Sequence, residues 1–158
     1  MKFIPHGNTE VFFFNDILLV QATGPFNREG VVEYSENLSI LVSNNTQYFS
    51  KILVLAGLAL FTPDAEVLIV HEIRKLKDKG LNMIAILIKE PAVAHIIMAQ
   101  FSNIFMRAGV LYTFSTSLKD AERWLALKRE ETHFSLSESA AKILSKWLGL
   151  DSEVERDV

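Results

Sequence analysis

The hydrophobic pattern of the chain centres on residues 52–64, which run from an apolar segment directly into a helix start. The apolar part shows no alternation with polar residues, which is typical of a strand covered on both faces of a largely parallel sheet. Thr62, Pro63 and Asp64 then suit the N-cap, the first helical position and the first turn of a helix. A buried strand followed by a capped helix is the repeating unit of an α/β domain.

The same succession of strand-like and helix-like patterns extends to both sides of this unit. The predicted strands cover residues 11–14, residues 17–22, the first half of residues 52–64, residues 81–88 and residues 110–114, and the predicted helices cover residues 27–42, 63–79, 91–107 and 117–127. The element order is therefore β-β-α-β-α-β-α-β-α. The right-handed crossover rule then predicts a five-stranded mixed sheet, with strands 2 to 5 parallel and strand 1 antiparallel at an edge.

The C-terminal residues are predicted to form a separate part of the chain. We assign residues 1–129 to the α/β domain and residues 130–158 to an extension with an amphipathic helix over residues 137–148 and an acidic tail. The helix is capped by Ser137 and carries Trp147 on its apolar face. An isolated helix of this length is marginal in water, so it should pack on apolar surface of its own domain or of a second subunit.

Two apolar helix faces are candidate interaction surfaces. On the third helix, an apolar arc that includes Met98, Phe101 and Phe105 is wider than the stripe of about 100° that docking on one sheet requires. Ile143 and Trp147 provide the corresponding face of the C-terminal helix. The arc is explained by a second neighbour, which would be the C-terminal helix, another subunit or an apolar ligand, or by packing in the domain core.

Thr62 is the other candidate site residue. Its simplest role is that of a helix cap. The alternatives are a switch controlled by modification of its hydroxyl, or an anion site at the helix N-terminus.

Composition and charge narrow the function classes. The chain has no cysteine and a net charge of −3, so thiolate chemistry is excluded and general binding to nucleic acid is not expected. Residues 130–158 contain seven acidic and three basic residues, which leaves the rest of the chain nearly neutral. The four histidines are dispersed and no catalytic or cofactor-binding motif is present, so we expect no metal site, no cofactor and no enzymatic activity.

The location expected from the sequence is the cytoplasm. The N-terminal residues lack the continuous apolar region of a secretory signal. The longest apolar run, residues 52–61, is about half the length needed for a membrane span.

Three segments together resemble a known family. Gly24-Pro25-Phe26-Asn27, the apolar run that ends in Leu60-Phe61-Thr62-Pro63-Asp64, and residues 114–125 occur in the order and spacing of the SpoIIAA-like proteins, relatives of the STAS domains of anti-sigma-factor antagonists. The resemblance covers residues 9–128. It implies a β-α superhelix with nearly sequential strand order and with helices mainly on one side of the sheet. It also implies a regulatory or protein-interaction module and not a catalyst.

One position departs from the family pattern. In the phosphorylation-switched STAS proteins, a serine begins the helix after the central strand, whereas this chain has Thr62 followed by Pro63. The resemblance is therefore nearer to the uncharacterised single-domain branch.

Three functional hypotheses follow. The first is a non-enzymatic regulatory or protein-interaction module that forms a homo-oligomer, with a dimer as the expected form, and a dry interior would favour it. The second is a carrier of an apolar or lipid-like small molecule, which a closed pocket of several hundred Å³ lined by Phe, Met and Ile would favour. The third is a hydrolase with a non-contiguous site, which a buried histidine near a serine and an acid would favour.

Overall fold

The structure, a computed structural model, describes residues 3–130 and 134–150. The described elements are β1 (Asn8–Phe14), β2 (Ile17–Thr23), α1 (Arg28–Val42), β3 (Phe49–Ala56), α2 (Pro63–Asp78), β4 (Leu81–Ile88), a 3₁₀ turn (Pro91–Val93), α3 (Ala94–Ala108), β5 (Leu111–Phe114), α4 (Leu118–Arg129) and α5 (Glu138–Trp147). This order confirms the predicted α/β class. Within the described residues, every helix is too short or too polar to cross a membrane.

The five strands form one mixed sheet in the order β1-β2-β3-β4-β5. The first strand pairs antiparallel with β2, and the remaining neighbours pair in parallel, as the crossover rule predicted. The hairpin between β1 and β2 turns at Asn15, whose φ of 51° is a left-handed conformation that asparagine tolerates. The strand order is thus sequential, as the family resemblance implied.

The first face of the sheet is covered by α1, α2 and α3. Because side chains alternate along a strand, β3 sends Leu53 and Leu55 to this face and Ile52 and Val54 to the other. All four of these side chains are buried, which explains why the strand shows no polar alternation.

The second face is covered by α4 and α5, which share a second core with the strands. In this core Leu125 of α4 and Leu144 of α5 are completely buried. The predicted packing of the C-terminal helix is therefore confirmed, and it occurs within the same chain. The helix that we assigned to a separate extension is an integral part of the domain, whereas the predicted acidic tail, residues 151–158, lies outside the described residues.

The predicted interaction surface does not exist as one surface. Phe101 and Phe105 are buried in the first core, with Met98 half-buried beside them on α3. On the opposite side of the sheet, Trp147 is buried in the second core and Ile143 packs against it. The wide apolar arc of α3 is therefore used for packing inside the chain.

Candidate functional site

The polar feature that stands out in the core is Lys51, a residue of β3 that is only 4% exposed. The strand begins at Phe49, three positions before the apolar run that marked it in the sequence. Lys51 therefore has the same parity as Leu53 and lies on the first face of the sheet, beneath α1 and α2. A charged side chain at such a position is rare unless it has a partner.

Lys51 has one partner among the described residues. Its Nζ donates a hydrogen bond to Tyr34 Oη on α1 at 2.9 Å and lies 5.4 Å from the centroid of the Tyr34 ring. None of the described carboxylates forms an ion pair with it. An ammonium group carries three N–H donors, so two of them are directed to something other than Tyr34. Burial of these donors without acceptors is costly.

The space next to this pair is a cavity of about 50 Å³. Its walls are almost entirely apolar, and the aromatic part of the wall is formed by Phe26, Phe61, Phe101 and Phe105. The polar side chains that reach it belong to Lys51, Tyr34 and Thr9. The arrangement is typical of a small-molecule site, where apolar walls surround a few polar groups that fix orientation.

The cavity approaches solvent beneath the N-terminal segment. Of its lining residues, only Gly7, Thr9, Gly30 and Phe61 are not buried. Gly30 is packed so closely against this segment that an added Cβ would collide with the carbonyl oxygen of His6. We call residues 4–9 the strap, because they lie across the mouth of the cavity.

Asn27 holds the strap in place. Its Oδ1 accepts hydrogen bonds from the His6 backbone N–H at 2.7 Å and from the Gly30 N–H at 2.9 Å, and its Nδ2 donates to the Ile4 carbonyl at 2.9 Å. Asn27 is thus the N-cap of α1 and also ties the strap to that helix. The Asn27 side chain therefore both caps α1 and holds the strap that closes the cavity.

Phe61, a residue of the cavity wall, connects the cavity to Thr62. The half-buried Phe61 packs on Phe26 and Phe101, with ring centroids 4.8 Å and 5.4 Å away. The side-chain amide of Gln100 holds its backbone on both sides, accepting from the Phe61 N–H at 2.8 Å and donating to the Phe61 carbonyl at 3.1 Å. The next residue is the exposed Thr62, the N-cap of α2. A shift of Phe61 would therefore change the position of Thr62 at the start of this helix.

Thr62 occupies the N-cap position of α2, but its side chain makes no capping hydrogen bond. The hydroxyl instead donates to Asp64 Oδ1 at 2.7 Å, and the same oxygen accepts from the Ala65 N–H at 2.9 Å. The cap role predicted for the Thr62 side chain is therefore wrong, because Asp64 accepts the bond from the first turn. The hydrogen bond from Thr62 is the main reason that the pKa of Asp64 lies below its ordinary value of 3.8.

This arrangement bears on the anion-site alternative for Thr62. The Asp64 carboxylate already accepts hydrogen bonds at the helix N-terminus and would repel an incoming anion. The positive end of α2 is thus satisfied by a side chain of the same helix.

A larger groove of about 760 Å³ runs between α1 and α2. Tyr34, Ile69 and Ile73 line both this groove and the cavity. The ring of Tyr34 therefore forms part of the wall between the buried Lys51 and the open groove.

The histidines provide no catalytic geometry in the described residues. His6, His71 and His95 are all exposed, and the fourth, His133, lies outside the described residues. The buried histidine that would have favoured a hydrolase is therefore not found in residues 3–130 or 134–150. The same residues contain no group of three or more histidine, aspartate or glutamate side chains placed to hold a metal ion.

The sequence interpretation missed both Lys51 and Tyr34. The signal for Lys51 was its spacing, since it precedes Leu53 by two positions and so shares its face. The signal for Tyr34 was its position three residues after Val31 and four before Leu38, on the apolar stripe of α1.

Comparison with known proteins finds solved structures that are similar to this chain. The chain is similar to an uncharacterised protein of the DUF3478 family from Shewanella loihica PV-4, whose crystal structure is described as having a SpoIIAA-like fold. The two share 16% sequence identity with a TM-score of 0.49, over 79% of this chain and 98% of that chain. No model of a known protein family matches the chain, and neither does any curated protein. The fold named for the Shewanella protein is the one that the sequence resemblance implies.

Proposed function

We propose that this protein is a non-enzymatic regulatory module that binds a small molecule in the cavity beside Lys51. The observation that carries the proposal is a lysine buried to 4% exposure, with one hydrogen-bond partner, at the wall of an otherwise apolar cavity. Replacing a buried charged group by an apolar one of similar size is often neutral or stabilising. Binding a ligand is a reason for such a residue to be present.

The regulatory part of the proposal rests on the position of the cavity wall. Phe61 is in contact with the cavity and is followed directly by Thr62 at the surface. A ligand that packs against Phe61 would favour one arrangement of this loop, and a partner protein or a modifying enzyme would recognise that arrangement. The ligand and the partner would then influence each other's affinity reciprocally.

The volume of the cavity limits the size of ligand that the protein could carry in it. Its volume of about 50 Å³ is far below the several hundred Å³ that a lipid would need. The walls include the expected phenylalanine and isoleucine side chains, but they enclose room for only a few atoms. A small ligand therefore suits the site better than a lipid-like one.

The apolar helix faces that suggested a homodimer in the sequence are covered by contacts within one chain. The apolar arc of α3 packs in the first core, and Trp147 packs in the second. We therefore base the proposed function on the cavity and not on a subunit interface.

The proposal is tested by screening the full-length protein against a library of small neutral, cationic and anionic compounds, with thermal stability as the readout. We expect at least one compound to raise the melting temperature of the natural chain but not that of Lys51→Met. Lys119→Met, which removes an exposed lysine on α4, is the matched control and should respond like the natural chain. If every stabilising compound acts equally on Lys51→Met, or if none stabilises the natural chain, the proposal is wrong.

A further inference from the structure

The hydrogen-bonding character of the cavity specifies the charge of its ligand. Two N–H groups of Lys51 have no acceptor among the described residues, and Tyr34 Oη accepts from Lys51, which leaves its own O–H free to donate. Lys51 and Tyr34 thus provide three donors at the wall of one small space. A group with several lone pairs and a negative charge satisfies them together, whereas a ligand that is itself a donor does not.

The amount of charge in the cavity limits the ligand to a single negative charge. Among the described residues, Lys51 is the only charged side chain that lines it. A phosphate dianion would retain uncompensated charge in an apolar enclosure, which is costly. Recognition of phosphate also tends to employ several donors or the planar fork of arginine, and none of the described arginines lines this cavity.

The walls and the volume specify the remainder of the ligand. Around the polar corner, the cavity is bounded by Val20, Leu53 and the four phenylalanines. A cavity needs about 10–15 Å³ to hold one water molecule, so about 50 Å³ holds a group of only a few heavy atoms. The ligand should therefore have a short, compact apolar tail.

From these observations we infer that the cavity binds a small apolar monocarboxylate, with its carboxylate on Lys51 and Tyr34 and its tail against the phenylalanines. This inference rests on the proposed function and names the ligand class for the same site. Each carboxylate oxygen would lie about 2.7–2.9 Å from the donor that it accepts from.

The test is isothermal titration of the full-length protein with sodium propionate and sodium isobutyrate, compared with propionamide and isobutyramide. The amides have nearly the same shape but no charge. We expect the carboxylates to bind with a Kd on the order of 1 mM, as suits ligands of this size, and the amides to bind at least ~10-fold more weakly. Inorganic phosphate and sodium chloride at equal ionic strength should give no saturable binding.

Two variants locate the binding. Lys51→Met should abolish carboxylate binding, and Tyr34→Phe should weaken it by ~10-fold through the loss of one hydrogen bond to a charged acceptor. Lys119→Met should bind like the natural chain. Carboxylate binding that persists in Lys51→Met would overturn the inference, because the anion would then be held elsewhere.

The remaining outcomes separate the inference from the proposed function. If the amides bind as tightly as the carboxylates, the assignment of a carboxylate is wrong, although the cavity still binds small molecules. If no carboxylate binds while the library screen yields a Lys51-dependent compound, the ligand class is wrong and the proposed function stands. If both experiments give nothing, the proposed function is overturned as well.

Discussion

At the scale of single residues, Lys51 and Tyr34 form a pair that is held by one hydrogen bond inside a hydrophobic core. The pair is energetically asymmetric, because loss of the hydroxyl leaves a buried ammonium without its partner, whereas loss of the ammonium removes the charge altogether. This asymmetry leads to distinct expectations for the two substitutions.

Tyr34→Phe should lower the free energy of unfolding by about 1–3 kcal/mol, the usual cost of an unpaired buried polar group. Lys51→Met should leave it unchanged or raise it, since a flexible apolar side chain of similar length replaces the charge. The double variant should be no less stable than Lys51→Met alone. Urea denaturation of all four proteins checks this, and additivity within about 0.5 kcal/mol would show that the two side chains are not coupled.

A second expectation at this scale concerns Asp64. Its pKa is lowered mainly by the hydrogen bond from Thr62, so its contribution to stability is present above its ordinary value of 3.8 and is lost as the pH falls through the lower value of the folded state. Thr62→Ala should raise the carboxyl pKa of Asp64 toward 3.8. NMR titration of the Asp64 carboxyl carbon measures this directly. An unchanged titration midpoint would mean that the Thr62 hydroxyl does not bond to it in solution.

At the scale of elements, the two ends of the described chain are fixed by specific side chains. The Asn27 side chain binds the strap through two hydrogen bonds, to His6 and to Ile4. On the other face, the indole N–H of Trp147 donates to Glu10 Oε2 at 3.2 Å, and its ring lies 6.0 Å from that of Phe12, so α5 is anchored to the edge strand β1. Each anchor has a matched control elsewhere in the chain.

Asn27→Ala should lower stability by more than Ser117→Ala. Both remove an N-cap, at a cost of about 1 kcal/mol, but only Asn27 also holds the strap. The amide of His6 should then lose protection from hydrogen exchange, while amides in β3 keep theirs. Equal losses of stability in the two variants, with His6 exchange unchanged, would mean that the strap is held by other contacts.

Trp147→Ala should cost about 3–5 kcal/mol, as is usual for the truncation of a buried aromatic side chain to alanine. Leu150→Ala, at a position that is 51% exposed just beyond α5, is the control and should have almost no effect. Guanidinium denaturation of both variants measures the difference. A Trp147→Ala protein as stable as the control would show that α5 does not dock on the sheet.

The strands and helices were predicted well from the sequence, because the patterns that indicate them lie within short segments of the chain. Strands buried on both faces produce unbroken apolar runs, and the caps Asn27, Ser117 and Ser137 mark helix starts within a few residues of chain. Thr62 shows the limit of this reasoning. The Thr62 hydroxyl donates to Asp64, an acceptor two residues later. The preference of threonine for the N-cap position does not predict this alternative hydrogen bond.

At the scale of the whole molecule, the part of the chain that the structure describes has three helices on one face of the sheet and two on the other. This distribution determined which predictions succeeded. The sequence showed that α3 and α5 carry excess apolar surface, but not that the two helices lie on opposite faces. It could not reveal the cavity either, because the cavity depends on how the strap, α1 and α3 meet over β3. Such a juxtaposition depends on tertiary packing and not on any single segment.

The occupant of the space beside Lys51 decides whether this cavity is a small-molecule site. The most direct measurement is a high-resolution crystal structure of the protein grown with the tightest-binding compound from the library screen. We expect density for that compound in the cavity, with an acceptor atom about 2.7–2.9 Å from Lys51 Nζ. Density for water alone in the cavity, with the compound bound elsewhere, would contradict the account, and Lys51 would then be a hydrated structural residue.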